Sequence, residues 1–210
     1  MNSSISQRFD LRAAKYDNRL TAYIGERELR QIRQLVPPHS KVLDYGCGTG
    51  RTTLDLLKRR CAVTAYDISH EMLARAQGKI RRFGLVANFI TEPSELKGQT
   101  WPIITCIGVL DYYPDPLPLL DTLHQYLDPD GHLIITYPNA LSPLAWLYAF
   151  GSRWTIPVNL RTPGSSRHTA QQAGFHINTL LFAFPSLAPI GHTIIMSMSP
   201  IVALHNPKTT

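Results

Sequence analysis

The chain has 210 residues, 44% of them hydrophobic, and a formal net charge of +6, which is enough apolar material for one well-buried α/β core without requiring a second. The opening MNSSISQRFDLR reaches charge before any apolar run, and no stretch approaches the roughly 18 uninterrupted apolar residues of a membrane span, so neither a signal peptide nor a transmembrane helix is expected. Cys47, Cys61 and Cys106 are odd in number and lack C-x-x-C spacing, which argues against a disulfide framework or a metal site and suits a reducing cytoplasm.

Taken in order, residues 5–36 read as helical, with Ile24, Ile32, Leu35 and Val36 near one face and Glu26 four residues before Arg30, until Pro37-Pro38 ends the segment. KVLDY is then a strand, TTLDLLKRR a helix and AVTAYD a second strand. Ser69 is the expected N-cap of a helix carrying Met72, Leu73, Ala76 and Ile80 on one side, with Lys79, Arg81 and Arg82 near its end and Gly84 beyond it. VANFI and PIITCIGVL make two more strands. Leu117, Leu120, Leu123 and Leu127 form a helical stripe before the turn DPDG, and HLIITY is the fifth strand. The pattern then changes to an apolar aromatic stretch, PNALSPLAWLYAFGSRWTIPVNL, a helix-like SSRHTAQQAGF, and two antiparallel strand candidates, FHINTLLFAF and HTIIMSM. Alternation of strand and helix implies a parallel sheet covered on both faces, with ligands beyond the strands' carboxyl ends.

Charge is distributed unevenly. All fifteen acids lie at or before Asp130, so the remaining eighty residues hold Arg153, Arg161, Arg167, Lys208 and several histidines without a carboxylate. Arg51, Lys58, Arg59, Arg60, Arg75, Lys79, Arg81 and Arg82 gather around two predicted helices; they read as solvated faces in preference to a nucleic-acid or anionic-membrane surface.

The stretch KVLDYGCGTGR carries glycines at positions 46, 48 and 50, just past a strand end. A dinucleotide fingerprint would place its third glycine at position 51, which is Arg. With Asp67 closing the second strand, an acid is available for both hydroxyls of a ribose, which argues for an adenosine ligand without naming it.

VLDYGCGTGR resembles the first motif of the class I S-adenosylmethionine-dependent methyltransferases, YDISHEMLARA their second-strand segment, CIGVLDYYPDP their fourth-strand motif and LDPDGHLIITYPN their fifth. AGFHI with its two strands is similar to the family's terminal hairpin, and RFDLRAAKYDN to the opening of many small-molecule members. The resemblance implies a Rossmann-like, mostly parallel seven-stranded sheet with helices on both faces and a C-terminal antiparallel hairpin. It divides one domain into an N-terminal helical extension or lid (1–38), a cofactor-binding core (39–137), an apolar acceptor-side insert (138–161) and a terminal helix and hairpin (162–200).

S-adenosyl-L-methionine is the cofactor so implied. Asp44, Tyr45, Gly46, Cys47, Gly48 and Gly50 would form its loop, Asp67 would take the ribose, and Ile68 and Met72 would lie against the adenine. Glu92 and Pro93 would flank the base, although ITEPSEL is one residue shorter than the family spacing. Ile107 and Gly108 would follow the fourth strand, and Tyr16 matches a family tyrosine that reaches the methionine carboxylate. The expected acceptor is a small, partly apolar or aromatic molecule, methylated at oxygen, nitrogen or carbon; no nucleic-acid partner is expected, and peripheral contact with a membrane is left open. Asp111, Tyr112 and Tyr113 are expected at the acceptor, with Asp111, His168 and His192 as the candidate bases. Trp146, Tyr148 and Trp154 make the insert aromatic. A binding protein without catalysis, a nucleic-acid methyltransferase and a dinucleotide-dependent reductase stay open as rivals.

Overall fold

Strand register explains the architecture. In the computed structural model, which describes residues 2–13, 19–153, 156–183 and 190–201, β1 (Lys41–Tyr45) pairs in parallel with β2 (Ala62–Tyr66) and β4 (Trp101–Cys106). β2 pairs with β3 (Asn88–Ile90), and β4 with β5 (Leu127–Pro138), also in parallel. β7 (Thr193–Pro200) then inserts antiparallel between β5 and β6 (Phe175–Ala183), giving the order β3-β2-β1-β4-β5-β7-β6. Chain direction of growth reverses between β1 and β4, and such a switch point is where open α/β sheets leave a crevice.

Alternate residues of each strand feed opposite faces. Leu43, Ile104, Leu133, Ile135, Ile194 and Met196 point to one core, shared with Leu120 and Leu123 of α5 (Leu117–Gln125) and Ala170 of α7 (Pro163–Gln172). Val42, Val63, Ile103, Ile134 and Ile195 point to the other. There they meet Ile32 of α2 (Arg19–Leu35), Leu56 of α3 (Arg51–Lys58) and Ile80 of α4 (His70–Arg82). Both faces of the sheet are therefore apolar and covered, as the strand sequences require.

Local chemistry sets the helix ends. Ser69 caps α4 by accepting from Met72 N, and Thr162 with Ser165 forms a capping box at α7, where Pro163 occupies the first turn. The stretch 5–36 is two helices, α1 (Asn2–Arg12) and α2, with residues 14–18, and so Tyr16, outside the described residues. Glu26 does not pair with Arg30: it meets Arg33 at 3.1 Å, because Arg33 is already drawn to α3 by Asp55, with contacts of 2.6, 3.0 and 3.1 Å. The DPDG turn lies inside β5 as an excursion, since Trp101 faces Leu127 while Ile103 faces His132. Within the insert, α6 (Pro143–Ser152) supplies the helix, and Trp154 is outside the described residues. No helix among the described residues is long and apolar enough to cross a membrane.

Candidate active site

Immediately after β1 the chain turns so sharply that Gly46 N and Cys47 N both donate to Tyr66 O, at 2.7 and 2.9 Å. The loop is thereby folded over the end of β2. Asp67 ties it down: one carboxylate oxygen accepts from Gly48 N at 2.7 Å and the other from Ser69 N at 2.9 Å. Each oxygen keeps a second lone pair for another donor. Burial pushes the Asp67 carboxyl above its ordinary range, while the two backbone donors pull it back.

The glycines of this loop do different jobs. Gly48 has φ +54, and a side chain there would project into open space; Gly50 has φ +77, and its Cβ would fall 2.8 Å from Ala76 Cβ of α4. One glycine opens the surface and the other lets two helices approach. Beneath them Asp44 is 1% exposed and accepts from the Thr53 and Thr105 hydroxyls at 2.6 and 2.9 Å. Burial, opposed by those two hydroxyls, pushes its pKa to about 6.

A cavity of about 310 Å³ opens at this edge. Asp44, Tyr45, Gly46, Cys47, Gly48, Asp67, Ile68, Met72, Pro93, Ile107, Gly108 and Tyr112 border it, as the sequence predicts. Tyr113, expected on the acceptor side, borders it too. Gly50 does not, being turned toward α4. Glu92 is exposed and also stands outside; Pro93, the first residue of a short 3-10 turn, takes the wall in its place.

The candidate bases do not share the cavity. Asp111 lies in a 3-10 turn, Leu110–Tyr112, whose successive side chains diverge, so Tyr112 faces the cavity while Asp111 is turned inward and buried. Its Oδ1 has no hydrogen-bond partner, and burial, with Glu28 nearby, pushes its pKa to about 8. His168 is exposed on α7, and His192 is buried at the start of β7 without bordering the cavity.

Phe9, Tyr66, Thr122 and Tyr126 line the cavity without having been singled out in the sequence. Phe9 belongs to α1, which lies across the site: its ring meets Tyr112 edge-on at 5.0 Å, Ser6 donates to Ile68 O, and Asp10 accepts from the Ser69 hydroxyl. The F-D pair of the opening stretch was the available signal. Thr122 and Tyr126 come from α5 and its end, where no local motif marks them. Among the described residues there is no group of three or more His, Cys, Asp or Glu placed to hold a metal ion.

Comparison with known proteins agrees with this arrangement. Residues 15–180 match the family described as "Methyltransferase domain". The ubiquinone biosynthesis O-methyltransferase of Yersinia enterocolitica is 30% identical over 113 residues, 52% of this chain and 46% of that protein. Its counterpart from Pectobacterium carotovorum is 29% identical over 123 residues, 56% of this chain and 51% of that protein. The chain spans about half the length of the curated relatives it matches. The magnesium protoporphyrin IX methyltransferase of Synechocystis, solved with bound SAH, superposes with a TM-score of 0.70 at 19% identity, covering 94% of this chain and 98% of that one. An S-adenosylmethionine-dependent methyltransferase structure from Thermotoga maritima gives 0.71 at 20%, covering 92% and 98%. The chain belongs to the methyltransferase-domain family, with the class I, S-adenosylmethionine-dependent fold of those structures.

Proposed function

We propose that the protein is an S-adenosylmethionine-dependent methyltransferase acting on a small, partly apolar or aromatic acceptor. The observation that carries this reading is the cavity at the carboxyl ends of β1, β2 and β4, where Gly48 leaves the wall open and Asp67 keeps acceptor capacity facing it. Asp67 would hold the ribose hydroxyls. Ile68, Met72 and Pro93 would enclose the adenine, and Glu92, outside the cavity, has no part in it. Asp44, whose two oxygens already accept from threonines, would contribute negative charge beneath the ammonium group more than a direct contact.

When bound, the cofactor supplies a methyl group activated by a sulfonium leaving group. The chain's task is then to align an acceptor and keep water out. Phe9, Val109, Tyr112 and Tyr113 border the same cavity and give the acceptor side its aromatic character. In this reading residues 1–38 act as a lid and 138–161 cover the acceptor. The latter segment is pinned to the 3-10 turn by Asn159, which donates to Asp111 O from N at 2.7 Å and from Nδ2 at 2.9 Å. A cytoplasmic location fits three buried free cysteines. The basic helices do not by themselves call for a nucleic acid: Arg51 pairs with Glu28 at 3.2 Å, and Lys58 sits 4.3 Å above the Phe83 ring.

Methyl-labelled S-adenosylmethionine incubated with the protein and a metabolite extract tests the reading. A labelled small-molecule product is expected; label confined to RNA or DNA, or preferential binding of a nicotinamide dinucleotide, would contradict it.

A further inference from the structure

A second polar cluster lies beside the cavity, assembled from four elements distant in sequence. Glu28 of α2 accepts from Arg51 of α3 through Oε2 at 3.2 Å, and from the Thr193 hydroxyl of β7 through Oε1 at 2.7 Å. Arg51 borders the cavity, and Gly25 makes room for it, since a Cβ there would fall 1.7 Å from its guanidinium. The Thr193 hydroxyl also lies 2.9 Å from His192 Nδ1. Tyr148 of α6 packs its ring against the imidazole, centroids 5.8 Å apart. Asn139, just beyond β5, donates its backbone N–H to His192 O at 2.8 Å, so the imidazole stands at the sheet's carboxyl edge. His192 is 5% exposed and its Nε2 has no hydrogen-bond partner.

Hydrogen counting fixes the ring. Glu28 faces an arginine and is an acceptor only, so the single Thr193 proton points to it. The hydroxyl oxygen can then only accept from His192, which places the ring proton on Nδ1 and leaves the lone pair on Nε2. We propose that Glu28 and Thr193 position His192 as the proton acceptor for an acceptor molecule that bears an ionisable hydroxyl, phenolic or enolic. This rests on the methyltransferase reading above. An amine attacks with its own lone pair, whereas a hydroxyl must lose its proton as it attacks. The proton passes to Nε2, the freed oxygen pair forms the O–CH3 bond, and the methyl–sulfur bond breaks with its pair staying on sulfur. The imidazolium so formed faces Glu28 through Thr193, with Tyr148 on its flank; Asp111 and Arg51 are the other ionisable groups near Glu28.

The test begins on the protein alone, labelled with 15N-histidine, with His192 assigned by its absence in the His192→Gln spectrum. The expected result at pH 7.5 is a neutral ring protonated at Nδ1 that loses this preference in Thr193→Val and Glu28→Gln. A proton on Nε2 in the wild type, or an unchanged ring in both variants, overturns the relay. The second arm is methyl transfer. The labelled product should be an O-methyl compound, and His192→Gln should lower kcat by about 10²- to 10⁴-fold and abolish the rise of rate with pH, while SAH affinity stays unchanged. A labelled amine, or full kcat in His192→Gln, overturns the proposal. If the wild type binds no SAH at all, the methyltransferase reading itself fails and takes the role of His192 with it, whatever the tautomer.

Discussion

The cofactor half of the site and the acceptor half are built by different means. Around Gly48 and Asp67 the contacts are made largely by backbone N–H groups and by residues within a few positions of a strand end. Around His192 they are made by side chains from α2, α3, α6 and β7, with Thr193 and Glu28 separated by 165 positions. A site of the first kind is specified by short motifs and holds its shape without side-chain packing. A site of the second kind exists only once the whole sheet is assembled, so its chemistry is free to vary from protein to protein on one fold.

The largest effect expected from breaking this contrast is in the glycine loop. Gly48→Val forces a β-branched residue into a left-handed position and fills the open wall, so SAH affinity should fall by more than about 100-fold while circular dichroism stays native. Asp67→Ala should cost roughly 10- to 150-fold in the same titration, from loss of hydrogen bonds to a charged group worth about 1.5–3 kcal/mol.

Gly50→Ala sharpens the comparison inside one loop. Its methyl would meet Ala76, so the variant should lose about 1–3 kcal/mol of stability in a urea titration by overpacking. Once folded, it should bind SAH nearly as well as the wild type. Equal losses of affinity at positions 48 and 50 would contradict the division of labour between them.

In the acceptor half, Asp111→Asn should act on stability through pH. The Asp111 carboxyl sits near pH 8 in the folded chain against about 4 unfolded, so between these values the folded state keeps a proton that the unfolded state releases. Its contribution is complete below about pH 4 and is lost as pH rises through about 8. Melting curves at pH 5 and pH 8 should therefore show a fall in the wild type exceeding that of Asp111→Asn by roughly 5 °C or more. An identical fall in both would place the carboxyl in contact with solvent. The smallest effect belongs to Trp146, 59% exposed on α6 with its indole N–H donated to Ala140 O at 2.8 Å. Trp146→Ala should change stability by only about 0.5–1.5 kcal/mol and leave SAH affinity alone, while a raised acceptor KM would assign α6 to the acceptor.

What the sequence made legible follows the same line. The alternation of KVLDY with its neighbouring helices, the Ser69 cap and the final antiparallel strands are local patterns, and each is present in the fold. Asp67 and Gly48 were legible because a strand end and a glycine turn define their place. Asp111 was misplaced at the acceptor because a 3-10 turn sends adjacent side chains apart, a detail that the count from β4 does not contain. Glu92 yielded the wall to Pro93 through the shortened segment already visible as a departure from the family spacing. Glu26 and Arg30 were paired on helical spacing, yet Asp55 of α3 drew Arg33 into reach of Glu26 first. The link from Glu28 to His192 had no signature at all, since it depends on β7 entering between β5 and β6.

The most direct test is a 1H–15N spectrum of the wild type titrated with SAH. The account predicts that amide shifts concentrate at Gly46, Cys47, Gly48, Ile68 and Gly108, with the amides of β6 left in place. Shifts centred on β6 or α7, or the same loop responding to a nicotinamide dinucleotide and not to SAH, would contradict it.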